Sequence, residues 1–540
     1  MPLPFKPACA LLTGLLLLLA SGPSAAFNHL TRADDPLARA PKADEGTVVV
    51  SVSTNMVAVL DMTSVRMRRL GGAGESQTAP DDSGENIFEL LQVAPALAFD
   101  SAVFVGVLPA GDYQMVQVTM KSYQVETVDR LLGWKLTVNR TITPTIGSRD
   151  RDLFGMFTVR PGQTVDLGRT VITPLNKITI IGRSALLTDN RQLLERKSPP
   201  HARLLGQNAA PGWTTPPLRD DVAEAIALRR PVGAGCFSEY PDGRIAAAAK
   251  MGTVLLRSTE GKWTAVHGTD INSLACVLPV ALPNATLIGV GEANTIVRLA
   301  PGASTLTPVD PGNLPRGNLI YVAGNERAGW YITLHSDEQV SIFHARDIEG
   351  GNWKRVASVP LKKDFWWGQS GFWPWRTERG FGFAVDESLH VLDYASGQWV
   401  TRKMPQGMKV AAAQASPNGT IGVRGKMFGG SYISKDEGLS WQEVPTPRNA
   451  GVPLQSGDAA LWVPSAPLPG DLSAGPILHT SGDLGRKWTQ VGQFPGGTLD
   501  ILPSGAMLTY GKERDFYTIR RSTDNGLSWS TEYHNFVRMP

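Results

Sequence analysis

Cysteine is nearly absent from this 540-residue chain, with three in all, at positions 9, 236 and 276. A disulfide-dense scaffold is therefore excluded, and so is a cysteine-built metal centre. Charge is scarce and balanced. Charged residues make up 19% of the chain and the formal net charge is +3, which excludes a strongly basic nucleic-acid binder and an acidic solvating tail. Mean hydropathy is −0.10, and beyond the N-terminus no apolar run approaches the ~20 residues of a membrane span. The eight histidines show no H-E-x-x-H or H-x-H spacing, and there is no G-x-S-x-G and no phosphate loop. The sequence marks no metal, no cofactor and no catalytic residue.

What is abundant is turn-forming residues, 56 glycines and 39 prolines. Such a composition disfavours long helices. The first residues read as a secretory signal over 1–26: Lys6 precedes an apolar run from Ala8 to Ala20, and Ser24-Ala25-Ala26 fits a peptidase site before Phe27. An exported, periplasmic or extracellular protein follows as an expectation. Cys9 would leave with the signal, so Cys236 and Cys276 would meet a compartment where a disulfide can persist.

Three segments share one pattern, S-x-D-x-G-x-x-W: Ser434, Asp436, Gly438 and Trp441; Ser481, Asp483, Gly485 and Trp488; Ser522, Asp524, Gly526 and Trp529. Ser258-Thr-Glu260-Gly261-Lys-Trp263 is a shortened relative, and Gly351-Asn-Trp353 and Gly397-Gln-Trp399 keep only glycine and tryptophan. The tryptophans at 263, 353, 399, 441, 488 and 529 are 90, 46, 42, 47 and 41 residues apart. The first interval spans two periods, with its midpoint near Leu306. The unit is thus about 44 residues, and seven units fit between about residue 232 and the C-terminus. In each box the Ser and Asp side chains suit a tight turn, glycine supplies a positive φ, and the indole opens the next strand. With about four short strands per unit, the expected architecture is a seven-bladed β-propeller over 232–540.

The boxes resemble the Asp-box, or BNR, repeat of sialidase-like and sortilin-like propellers and of photosystem assembly factors. That resemblance implies a structural role for the boxes, on hairpins away from a ligand face, so Asp436, Asp483 and Asp524 are not read as catalytic. The arginine motif that sialidases carry at the start of the ring has no counterpart here, and Arg316 in Leu314-Pro-Arg316-Gly comes a blade too late.

Residues 45–190 also read as β. Thr47–Ser53, Tyr113–Thr119 and Trp134–Val138 alternate apolar and polar residues, as half-buried strands do. Leu108-Pro-Ala-Gly111-Asp-Tyr113 and Val159-Arg-Pro-Gly162 are turns feeding strands. Their pairing resembles transthyretin-like or carboxypeptidase-regulatory-like β-sandwich modules. Gly71 to Gly84 reads as a polar loop. Residues 191–231 form a proline-rich linker, with a short helix expected over 220–229.

The densest aromatic run is Phe365-Trp366-Trp367-Gly-Gln-Ser-Gly-Phe372-Trp373-Pro-Trp375, followed by Arg376 and Arg379. Two roles compete: an aromatic platform at the mouth of the ring for a sugar or an apolar side chain, or packing between blades. The sequence therefore points to an all-β, exported, non-catalytic binding or assembly-support protein of the cell envelope. Trp366, Trp367, Phe372, Trp373, Trp375, Arg376 and Arg379 are its candidate contacts to a protein or glycan. The alternatives are a sialidase-like glycoside hydrolase and a purely structural envelope component.

Overall fold

The computed structural model describes residues 30–534 except 55–59, 72–85, 95–100, 125–137, 143–154, 176–177, 184–187, 207–211, 215–236, 250–251, 269–271, 337–338, 365–367, 370, 427–428, 457–459, 467–474 and 514–515. The expected signal, most of the polar loop after Gly71, the expected helix over 220–229, Cys236, Trp366 and Trp367 lie outside the described residues.

Seven four-stranded antiparallel sheets follow one another, each made of four consecutive strands. They are blade 1 (237–267), blade 2 (274–309), blade 3 (318–360), blade 4 (372–403), blade 5 (410–443), blade 6 (454–493) and blade 7 (498–534). The indole period marks the start of the outermost strand. Trp263 and Trp399 open the fourth strands of blades 1 and 4, and Trp353, Trp441, Trp488 and Trp529 immediately precede those of blades 3, 5, 6 and 7. In blade 2, Leu306 opens Leu306–Val309 at the place of the missing tryptophan.

Antiparallel strands reverse direction at each turn, which gives the ring two distinct faces. One carries the turns after the first and third strands of every blade, including the boxes. The other carries the blade-to-blade connections and the turns between second and third strands. They are called below the box face and the connection face.

The ring closes without exchanging a strand. Ile245, Ala247, Ala249 and Leu255 of blade 1 pack on Leu502, Ala506, Leu508 and Ile519 of blade 7. Beside this apolar seam, Arg257 of blade 1 forks onto Glu532 of blade 7, with Nε donating to Oε2 at 2.6 Å and Nη2 to Oε1 at 2.8 Å. The indole of Trp263 donates to the same carboxylate at 3.3 Å.

The N-terminal unit is one connected sheet that turns a corner. Strand Ile87–Ala94 pairs through its first half with Leu60–Arg69 and through its second with Ala102–Pro109. The two arms bury one core containing Val48, Val50, Met67, Phe104, Leu108, Tyr113, Phe157 and Leu167. The turn at Ala110–Gly111 lies between strands Ala102–Pro109 and Gly111–Gln124, as expected from the sequence.

Two local expectations are corrected. Thr47–Ser53 is not half-buried: Val49 packs with Val103 and Val105 against Leu193, Leu194, Ala202 and Leu205 on the opposite face. Helices Thr188–Lys197 and Pro199–Ala202 cover that face, so the start of the supposed linker is part of the folded unit. Trp213, further along, docks edge-on against Phe157 and donates its indole N–H to the carbonyl of Leu167 at 2.6 Å. No helix among the described residues is long and apolar enough to cross a membrane.

Candidate binding face and central channel

The three full boxes fold alike. In the first, the Ser434 hydroxyl donates to Asp436 Oδ1 at 2.8 Å and accepts the Gly438 N–H at 2.7 Å. Asp436 then accepts the Ser440 N–H at 2.9 Å and the Ser440 hydroxyl at 2.5 Å. Ser481 with Asp483 and Ser522 with Asp524 repeat the pattern. Each glycine has a positive φ, between 78° and 87°. Each also touches the preceding blade: a Cβ on Gly438 would sit 2.4 Å from Leu389, one on Gly485 2.7 Å from Val444, and one on Gly526 2.3 Å from Leu478. A box therefore closes its own hairpin and seats its blade on the one before, and its polar atoms are occupied in doing so.

The box carboxylates titrate low. The Ser440 hydroxyl is the first cause of holding Asp436 down at about 2, and the Ser528 hydroxyl does the same for Asp524, also at about 2. The Lys487 N–H, with Ser481, lowers Asp483. A carboxylate whose folded value lies below its unfolded value stabilises the fold above the unfolded value and stops doing so as pH falls through the folded one. Thermal stability should therefore decline between about pH 4 and about pH 2. The decline should be shallower in the Asp436→Asn/Asp524→Asn double variant, which differential scanning fluorimetry across that range measures.

Among the described residues, the candidate aromatic platform is not one surface. Lys363–Asp364 and Gly368–Gln369 pair as a short ribbon in the connection between blades 3 and 4. Trp366 and Trp367 lie outside the described residues. Phe372–Arg376 is the first strand of blade 4 and runs from the connection face toward the box face. Five strand residues cover about 13 Å or more, so the side chains that follow one another in sequence part company. Phe372 packs on Phe383 with ring centroids 4.9 Å apart. Trp373 and Trp375 point the other way, into the core between blades 4 and 5, and Trp375 is 6% exposed. Arg379 is exposed in the next turn, on the box face. The structure brings Trp373 and Trp375 together as packing and places Arg379 away from them.

Arg376 reaches from blade 4 to the three blades before it. Its guanidinium donates to the Val277 carbonyl of blade 2 at 2.7 Å, to the Val322 carbonyl of blade 3 at 2.8 Å, and to the Ser238 hydroxyl of blade 1. It also lies 5.4 Å from the centre of the Tyr321 ring. One side chain of blade 4 thus ties the innermost strands of the three preceding blades. Gln414 of blade 5 makes a second tie, donating to the Leu499 carbonyl at 3.1 Å and to Asp500 Oδ1 at 3.0 Å in blade 7. Arg316, the nearest sequence echo of a sialidase arginine, is buried in the connection between blades 2 and 3. The composition signal that could have singled out Arg376 is weak, because a bulky cation after a tryptophan strand reads equally well as a surface anchor.

Cys276 is buried in the first strand of blade 2, its Sγ 3.5 Å from Nη1 of Arg376. Ser238, two residues beyond Cys236, donates its hydroxyl to the carbonyl of Val277 at 3.0 Å. The side chain two residues beyond Cys236 thus touches the residue after Cys276. Cys276 is free in this structure, and its bridge to Cys236 is a proposal for protein exported to an oxidising compartment. Alkylation of the unreduced, denatured chain should leave both unmodified, and full alkylation of either would refute the bridge.

No protein-family model matches the chain, and no curated protein sequence matches it. Solved structures of similar shape include YCF48 from Cyanidioschyzon merolae, at 12% identity and TM-score 0.37, covering 55% of this chain and 92% of that one. A catalytically inactive virginiamycin B lyase from Staphylococcus aureus with quinupristin shares 11% identity at TM-score 0.36, covering 55% and 92%. YCF48 bound to D1 peptide shares 12% identity at TM-score 0.36, covering 59% and 88%. Similarity at this level carries no argument about activity or partner.

Proposed function

We propose that this chain is an exported, non-catalytic binding or assembly-support protein of the cell envelope, whose propeller holds a protein partner on its connection face. In the same reading its repeats are Asp-box blades of the BNR type and its N-terminal unit is a transthyretin-like or carboxypeptidase-regulatory-like sandwich. A glycan is the alternative occupant. The observation that carries the proposal is the use made of the channel. Arg376 and Gln414 span it and bond to the innermost strands, so the axial position where blades could gather reacting side chains is filled by structural contacts. Box polar atoms are likewise consumed within their hairpins. The loops of the connection face remain, displayed on a rigid frame that loses little conformational entropy on association.

The test compares the two faces. A photo-reactive residue is introduced at exposed Gln406 or Asn449 on the connection face, and at Leu439 or Leu527 on the box face. Those leucines are 73% and 69% exposed. In intact cells, one and the same partner should be captured from Gln406 and Asn449 and not from the leucines. Capture from the box face alone, or turnover of a fluorogenic glycoside panel by the pure protein, overturns the proposal. N-terminal sequencing of exported protein should begin at Phe27.

A further inference from the structure

The N-terminal strand Thr164–Leu175 carries a residue that its own unit does not explain. Arg169 is 1% exposed and heads the largest fully buried side chains among the described residues. It follows Gly168, whose φ is +66°, at the place where the ladder to Glu45–Thr54 shifts register. The irregularity is built: the Asp166 carboxylate accepts the Gly168 N–H at 2.8 Å and the Asn190 amide at 2.6 Å. A bulge of this kind re-aims the side chain that follows it. Here it aims Arg169 out of the sheet and into the propeller.

Inside the propeller, Arg169 Nη1 donates to Asn272 Oδ1, and Nη2 lies 3.4 Å from Glu292 Oε2. Its Nε donates back to Ser101 of the N-terminal unit at 3.1 Å. Asn272 belongs to the connection between blades 1 and 2, and Glu292 to the turn between the second and third strands of blade 2. Both lie on the connection face. The receiving groups are themselves braced: Asn272 donates to Thr295 Oγ1 at 2.9 Å, and Glu292 Oε2 accepts the Ser273 N–H at 3.2 Å. A cation withdrawn from water this completely persists only with a fixed anionic and hydrogen-bonding partner.

We propose that the N-terminal unit is a fixed cap on the connection face over blades 1 and 2, latched by Arg169, so that a partner on that face meets only the arc from blade 3 to blade 7. The cap stands whether or not a partner seats on that face, because it rests on contacts within the chain. Asn272, Ser273 and residues 292–295 are then internal surfaces, although they belong to propeller loops.

Hydrogen exchange on the full-length protein tests this. In the wild type, amides of Asn272, Ser273 and residues 292–295 should be protected well beyond those of 404–409, a blade connection in the open arc. In Arg169→Ala, exchange of the first two loops should rise by about a hundredfold while the box hairpins at 434–441 and 481–488 stay unchanged. Glu292→Gln should produce a smaller rise at the same loops. Wild-type Asn272, Ser273 and residues 292–295 exchanging as fast as 404–409 would overturn the cap, and this measurement needs no variant to fold. A rise spread evenly over all blades in both variants would overturn it as well, because it would make Arg169 an ordinary stabilising residue with no local latch.

Discussion

Arg257→Ala is expected to lower the stability of the propeller by about 3–5 kcal/mol, the range for breaking one side of a buried ion pair, and to lower Tm by about 10 °C. The reason is where the pair sits. A ring closed by a shared strand would hold its ends through a ladder of backbone hydrogen bonds, whereas blades 1 and 7 are each complete and meet through side chains, with the Ser504 N–H donating to Glu239 Oε2 at 2.8 Å. Arg257 is 7% and Glu532 13% exposed by side chain, and they are the charged contact at that seam that is most withdrawn from water. Removing the guanidinium leaves a carboxylate with the Trp263 indole and Arg521, whose Nη1 is 3.8 Å away. Glu532→Leu combined with Arg257→Met should cost less than either single change, because an apolar pair of similar volume does not strand a charge. Chemical unfolding followed by tryptophan fluorescence measures all four variants. A single-variant loss below 1 kcal/mol would mean that the apolar seam alone closes the ring.

The propeller was legible because its signal is periodic and redundant. The tryptophan spacing located the outermost strands, and the double interval between 263 and 353 placed the missing anchor at Leu306, where a strand of blade 2 begins. The box chemistry was legible too, since Ser, Asp and Gly at those offsets have few other uses in a tight turn. What sequence reading missed depends on contacts between elements far apart in the chain. Val49 is buried by helices some 140–150 residues later, and no local period reports a second buried face. Arg169 follows an unremarkable Asp-Leu-Gly, and its partners are 103 and 123 residues away. The aromatic run left two roles open for another reason. Spacing alone does not say which residues share a surface: a strand that traverses a blade sends alternate side chains into different interblade cores, and its two ends reach opposite faces.

That distinction can be measured at Arg376 and Arg379, both first read as anchors for a bound partner. Arg376→Ala is expected to destabilise the ring by about 3 kcal/mol or more. It takes one donor from each of the carbonyls of Val277 and Val322, leaving Val277 with the Ser238 hydroxyl, and removes the tie to Ser238. Arg376→Lys should recover less than half of the loss, because an ammonium cannot reproduce a planar fork that reaches three blades at once. Arg379→Ala, at an exposed turn, should stay within about 0.5 kcal/mol of the wild type. Denaturant midpoints of the three variants give the order directly. If Arg376→Ala kept the wild-type midpoint, the guanidinium would not be bracing the innermost strands, and the channel would again be open to a ligand. If the expected order holds, the polar groups that looked most available for binding are the ones the ring uses to hold itself together, and recognition is left to loops whose sequence carries no repeat.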